Sequence, residues 1–112
     1  MKEEVRRAVA YIAAARIRGK ASSSIYSYEA SRHVSMSGSE GSYYDHGAGA
    51  HISGSGSNLY HHGTRAHISL TINGNKFSGF DYKSSQHFQG SVNGNAVQFY
   101  DYGEGKYFNY QA

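Results

Sequence analysis

One ten-residue unit occurs five times in this chain, and that repetition constrains the fold more than any other feature. The copies are "IYSYEASRHV" (25–34), "YYDHGAGAHI" (43–52), "LYHHGTRAHI" (59–68), "GFDYKSSQHF" (79–88) and "FYDYGEGKYF" (99–108). An aromatic stands second in every copy: Tyr26, Tyr44, Tyr60, Phe80 and Tyr100. Fourth comes Tyr28, His46, His62, Tyr82 or Tyr102, and ninth comes His33, His51, His67, His87 or Tyr107. The tenth residue is always apolar: Val34, Ile52, Ile68, Phe88 or Phe108. Self-similarity of this kind implies one supersecondary unit copied along the chain.

Each unit reads as a β-hairpin. The residues "EASR", "GAGA", "GTRA", "KSSQ" and "GEGK" separate two alternating runs, a common loop length for hairpins. Between units, "SLTINGNKFSG" and "GSVNGNAVQF" place Asn-Gly inside alternating runs, a strong short-range hairpin signal. "MSGSEGS" and "SGSGSN" read as looser turns. The expected product is a mainly β fold with one helix, an antiparallel meander of about ten short strands over residues 22–112.

Residues 1–20 differ in kind. "KEEVRRAVAYIAAARIRG" is rich in alanine, carries Glu3 and Glu4 at its start and Arg16 and Arg18 at its end, and stops at Gly19. These features predict a helix with a favourable dipole and a glycine C-cap. Val5, Val9, Ile12, Ala13 and Ile17 fall on one side at helical spacing, so the expectation is an amphipathic helix with one buried face and Arg16 reaching out to solvent.

Alternation sorts the strands into two faces. Leu59, Ile68, Leu70, Ile72, Phe77, Phe88, Val92, Val97, Phe99 and Phe108 share one, the expected core. The other receives Tyr26, Tyr28, His33, Tyr44, His46, His51, Tyr60, His62, His67, Phe80, Tyr82, His87, Tyr100, Tyr102 and Tyr107. His61 points off this aromatic face. A helix of about 17 residues spans roughly 25 Å, whereas ten strands laid flat make a sheet about 45 Å wide. One helix cannot cover such a sheet. The sheet must therefore curl into a barrel or roll, or a second copy of the chain must complete it. Copies one and two also look thin on the core side, with Ser27, Asp45 and Gly54.

The functional expectations follow from the aromatic face. Tyrosine offers a flat apolar body with a hydroxyl and is enriched at recognition surfaces. Tyr26, Tyr28, Tyr44, Tyr60, Tyr82, His87, Tyr100, Tyr102 and Tyr107 are the candidate ligand-binding residues, for a carbohydrate or another small polar or polymeric ligand. The alternatives are a histidine metal site at His46, His51, His62 and His67, imidazole being suited to zinc, copper or nickel, and a purely structural homo-oligomer subunit.

An enzyme is not expected. No G-x-S-x-G, Walker loop or dinucleotide fingerprint occurs, and nearly every polar candidate, including Asp45, Asp81 and Asp101, is duplicated by the repeat. No cofactor is called for. Net charge is +3, but residues 1–20 hold +4 of it, leaving the repeats slightly acidic, which disfavours nucleic acid. There is no cysteine, no run long enough to cross a membrane as a helix, and "AVAYIAAA" lacks the flanks of a signal peptide. A single domain, 1–112, in the cytoplasm is the expectation.

Overall fold

The computed structural model describes residues 1–39 and 41–112, and these form one helix followed by ten antiparallel strands. Helix α1 (Glu3–Arg18) precedes β1 (Ser24–Ser27), β2 (Arg32–Ser39), β3 (Ser42–Asp45), β4 (Ala50–Ser53) and β5 (Asn58–His61). Then come β6 (Ala66–Asn73), β7 (Lys76–Asp81), β8 (Gln86–Asn93), β9 (Ala96–Asp101) and β10 (Lys106–Gln111). Every strand pairs with the next, and β10 returns to β1, closing a barrel. The molecule measures 29 × 28 × 26 Å, well short of the flat sheet's width of about 45 Å. Closure thus meets the coverage requirement within one chain.

The helix lies inside the barrel, and here the amphipathic expectation needs correction. Val5, Val9, Ile12 and Ala13 are buried as their spacing predicts, but so are Ala8, Ala10, Tyr11, Ala14 and Ala15. The wall surrounds the helix, so no face is left for solvent. Alanine makes this fit, because a helix studded with small side chains is thin enough to be ringed by Ile25, Ile52, Ile68, Leu70, Phe88, Phe99 and Phe108. Gly19 ends it as expected, left-handed at φ 78°, its N–H donating to the Ala15 carbonyl. Arg16 does reach outward, donating to the Gly56 carbonyl at 2.6 Å.

Arg6 and Arg7, which charge alone would place in water, are buried at one end of the barrel. Arg7 Nε donates to Asp45 Oδ2 at 2.7 Å, and Arg6 Nη1 lies 3.3 Å from Asp101 Oδ2 with its guanidinium 3.8 Å above the Phe108 ring. The thin core side of copy two is therefore a charge partner for the helix. Tyr43 and Tyr110 also point inward, unlike most of the tyrosines; the Tyr110 hydroxyl donates to Glu3 at 3.0 Å. Burial pushes the pKa of both Tyr110 and Tyr11 above the usual phenol range.

The hairpin loops sit one residue earlier than the sequence pattern places them, at 28–31, 46–49, 62–65, 82–85 and 102–105. The third residue of each unit explains the shift. Ser27, Asp45, His61, Asp81 and Asp101 all point inward and accept a backbone N–H from their own loop, at Ala30, Ala48, Thr64, Lys83 and Gly103. Such local capping fixes where the chain turns. The seventh residue closes each loop in the left-handed region: Ser31, Gly49, Arg65, Ser85 and Gly105.

The Asn-Gly connectors shift as well. Asn73 pairs with Lys76 and Asn93 with Ala96, so the two-residue turns are Gly74-Asn75 and Gly94-Asn95. Only the glycines have positive φ, the pattern of a type II′ turn. The turn expected in "MSGSEGS" includes Glu40, which lies outside the described residues.

Candidate functional site: an aromatic belt on the outer wall

Closure sends the aromatic carpet outward. Tyr28, Tyr82, Tyr102 and Tyr107 are each more than half exposed, and Tyr44 is 37% exposed. Tyr26, Tyr60, Phe80 and Tyr100 are half-buried, as is His51, while His33, His46, His62, His67 and His87 are exposed. All five repeat loops lie at one end of the barrel, because each joins the strands of one unit in the same sense. The rings form a belt near that end.

The pairing within each unit differs from the expected one. Sequence pattern sets the fourth residue opposite the ninth, as Tyr28–His33, His46–His51 and His62–His67. The register instead opposes the second and ninth: Tyr26 and His33, Tyr44 and His51, Tyr60 and His67, Phe80 and His87, Tyr100 and Tyr107. The fourth residue opens the loop and folds back edge-on against the second. In copy three, the Tyr60 ring lies 4.7 Å from His62 and 4.6 Å from His67. In copy five, Tyr100 lies 4.8 Å from Tyr102 and 4.7 Å from Tyr107. Copies one and four repeat this three-ring cluster. Edge-to-face contacts of this kind contribute about 0.5–1.5 kcal/mol beyond the area they bury.

Neighbouring clusters join. His62 donates its backbone N–H to the His51 carbonyl, Tyr82 to that of His67 and Tyr102 to that of His87. The ninth residue of one unit thus stands beside the fourth of the next, from copy two through copy five. Around copy one the register slips by two residues. His46 meets Ser35 there, and Tyr28 meets Asn109, so the belt is interrupted.

The histidines proposed as metal ligands do not converge. Among the described residues no group of three or more metal-binding side chains is brought together. His46 packs on Tyr44 and bonds Ser37 at 3.1 Å. His51 and His62 stack at 5.2 Å, their Nε2 atoms held by Ser42 and Ser53 respectively. His67 belongs to the Tyr60 cluster. The rings are engaged with tyrosines and serines, in keeping with the repeat.

His61 stands apart, fully buried within the barrel. Its Nδ1 accepts from the Thr64 N–H at 3.1 Å, and its Nε2 finds no partner among the described residues. Burial lowers its affinity for a proton, against the pull of Glu4 and Asp45. The unfolded imidazole, with a pKa of about 6.5, therefore takes up a proton before the folded one does. Stability from this residue is fully present above about pH 6.5 and is lost progressively as pH falls below that value toward the lower pKa of the folded state. Denaturant midpoints measured from about pH 7.5 to about pH 5.5 should fall less steeply in His61→Ser than in the parent. Serine fills the equivalent position in copy one. Equal slopes would show that the buried imidazole has no energetic consequence.

Sequence reasoning missed the residues that give the wall its relief. Two hollows, of about 510 Å³ and about 400 Å³, lie on the outside of β6 to β9 and both contain Ser78 and Gln89. The signal for them was a glycine inside each of two strands, Gly79 and Gly90. A third hollow of about 530 Å³ opens at the far end of the barrel beside Arg16, Lys20 and Tyr43. Comparison of the chain with protein-family models, with curated proteins and with solved structures returned no match.

Proposed function

We propose that this protein is a non-catalytic binding module that recognises a polar ligand, a glycan foremost, through its aromatic belt. What supports the reading is that the belt is surplus to the core. The interior is filled by the helix and an inward set of Ile, Leu, Val and Phe, while Tyr28, Tyr82, Tyr102 and Tyr107 stay in solvent. The rings stand on a closed wall, so their arrangement is set before a ligand arrives, which lowers the entropic cost of binding. Repetition of the cluster suits several weak contacts along an extended ligand better than a single reaction centre.

Tyr82 and Tyr60 test the reading together. Tyr82 is 62% exposed, and Tyr82→Ala should cost under about 0.5 kcal/mol of stability. Tyr60→Ala, which opens a three-ring cluster, should cost about 1–3 kcal/mol. Both should weaken binding across a panel of glycans and oligonucleotides. A loss above about 3 kcal/mol at both positions, with no ligand found for the parent, would make the belt part of the scaffold.

A further inference from the structure

We propose that the outer wall over β6 to β9 carries a docking groove for a neutral polysaccharide chain. This rests on the belt being a binding surface, and gives that surface a place and a ligand class. The two hollows there meet at the cross-strand pair Ser78 and Gln89, which lines both, and rings of the belt line their sides. Each volume, about 510 and about 400 Å³, falls within the usual range of ligand sites, about 300–1,000 Å³.

The hollows have a structural cause. Gly79 lies opposite Leu70 and Phe88, and Gly90 opposite Phe77 and Phe99, so both occupy inward positions. A Cβ on Gly79 would overlap the Ser69 carbonyl oxygen and the Phe88 ring; on Gly90 it would overlap the Gln98 carbonyl oxygen and the Phe77 ring. With no side chain at these two points, neighbouring backbone and aromatic rings close in on the inner side, and Gly79 and Gly90 each line one of the hollows outside.

Their lining selects the ligand. One part offers the rings of Phe80, His87 and Tyr102, and the other reaches Tyr107. Between them stand hydroxyls and side-chain amides, chiefly Ser69, Ser78, Gln89 and Gln98. Lys76 is the one Lys, Arg, Asp or Glu among the residues lining the two hollows. A sugar ring presents an apolar C–H face to stack on an aromatic and an edge of hydroxyls that pair with Ser and Gln. A nucleic acid strand would need several cations along its backbone, and an acidic glycan would need more than one. A neutral chain matches what is present.

The test is amide chemical-shift mapping of the isotope-labelled full chain. The probes are cellohexaose, chitohexaose, maltohexaose and mannohexaose at millimolar concentration, with a deoxythymidine decamer alongside. At least one sugar should shift Ser78, His87 and Gln89, and Gln89→Ala and Tyr102→Ala should each weaken it tenfold or more. Arg32→Ala, on β2 and outside both the belt and the two hollows, should leave its Kd within twofold. Sugar binding that maps to Tyr44 and is untouched by Gln89→Ala would overturn the groove while leaving the belt reading intact. Binding of the decamer alone would overturn the glycan assignment. No shift with any probe would overturn the groove and the belt reading together.

Discussion

Asp45→Ala should cost about 3–5 kcal/mol, because it leaves the buried Arg7 guanidinium without its counter-charge in a closed interior. Small domains are stable by about 5–15 kcal/mol in total, so the variant should be close to unfolding at room temperature. The same substitution removes the acceptor for the Ala48 N–H and so loosens the second repeat loop. The double variant Arg7→Met, Asp45→Asn should recover most of the loss. Methionine fills the guanidinium's channel with apolar volume, and asparagine keeps the loop cap. Urea midpoints of the three proteins decide the matter. A single-variant loss under about 1 kcal/mol would mean that Arg7 reaches water after all.

Gly79→Ala and Gly90→Ala should each cost about 3 kcal/mol or more, the upper end for overpacking, since the added carbon meets backbone as well as an aromatic ring. A carbonyl oxygen cannot swing aside as a side chain does, so strands β6 and β7, or β8 and β9, must part. The comparison is with Gly74→Ala and Gly94→Ala. Those glycines have left-handed φ of 64° and 59° but open space around them, and should cost only about 1–2 kcal/mol. Gly79 and Gly90 have no positive φ, so a loss no larger than at the turn glycines would mean that the strands absorb the added carbon easily, and the hollows would need another cause.

The architecture was largely legible in the sequence, and the parts that were not have specific causes. Period-two alternation placed Leu59, Ile68, Leu70, Phe77, Phe88, Val92, Val97, Phe99 and Phe108 inside, and all are buried; Ile72 is only partly so. Alternation sorts faces but does not fix register. Loops at 28–31 or at 29–32 both leave Tyr26, Tyr28 and His33 on the same side, so the aromatic pairing went astray by one step. The missing cue was the third residue of each unit, whose Ser, Asp or His side chain caps the loop that follows. The interior placement of Arg6 and Arg7 was hidden for a different reason. Arginine on a helix normally faces water, and only acids at inward strand positions, Asp45 and Asp101, mark it as interior. Those acids lie 38 and 95 residues from their partners, a separation no local pattern spans.

The barrel is fastened to itself by a narrow seam. β1 and β10 register at only two pairs, Tyr26 with Gln111 and Ser27 with Tyr110. The β4–β5 join is equally short, but a local connector holds it. Nothing local holds the seam, whose strands come from opposite ends of the repeat region. Contacts so distant along a chain form late, because the intervening loop entropy must first be overcome. The helix comes ahead of every strand in the chain, and the strip of hairpins winds around it until its last edge meets its first. A short join with no local connector opens most readily, so among the strand pairs amide exchange should be quickest along β1 and the facing edge of β10. Opening there would briefly bare the alanine-lined helix.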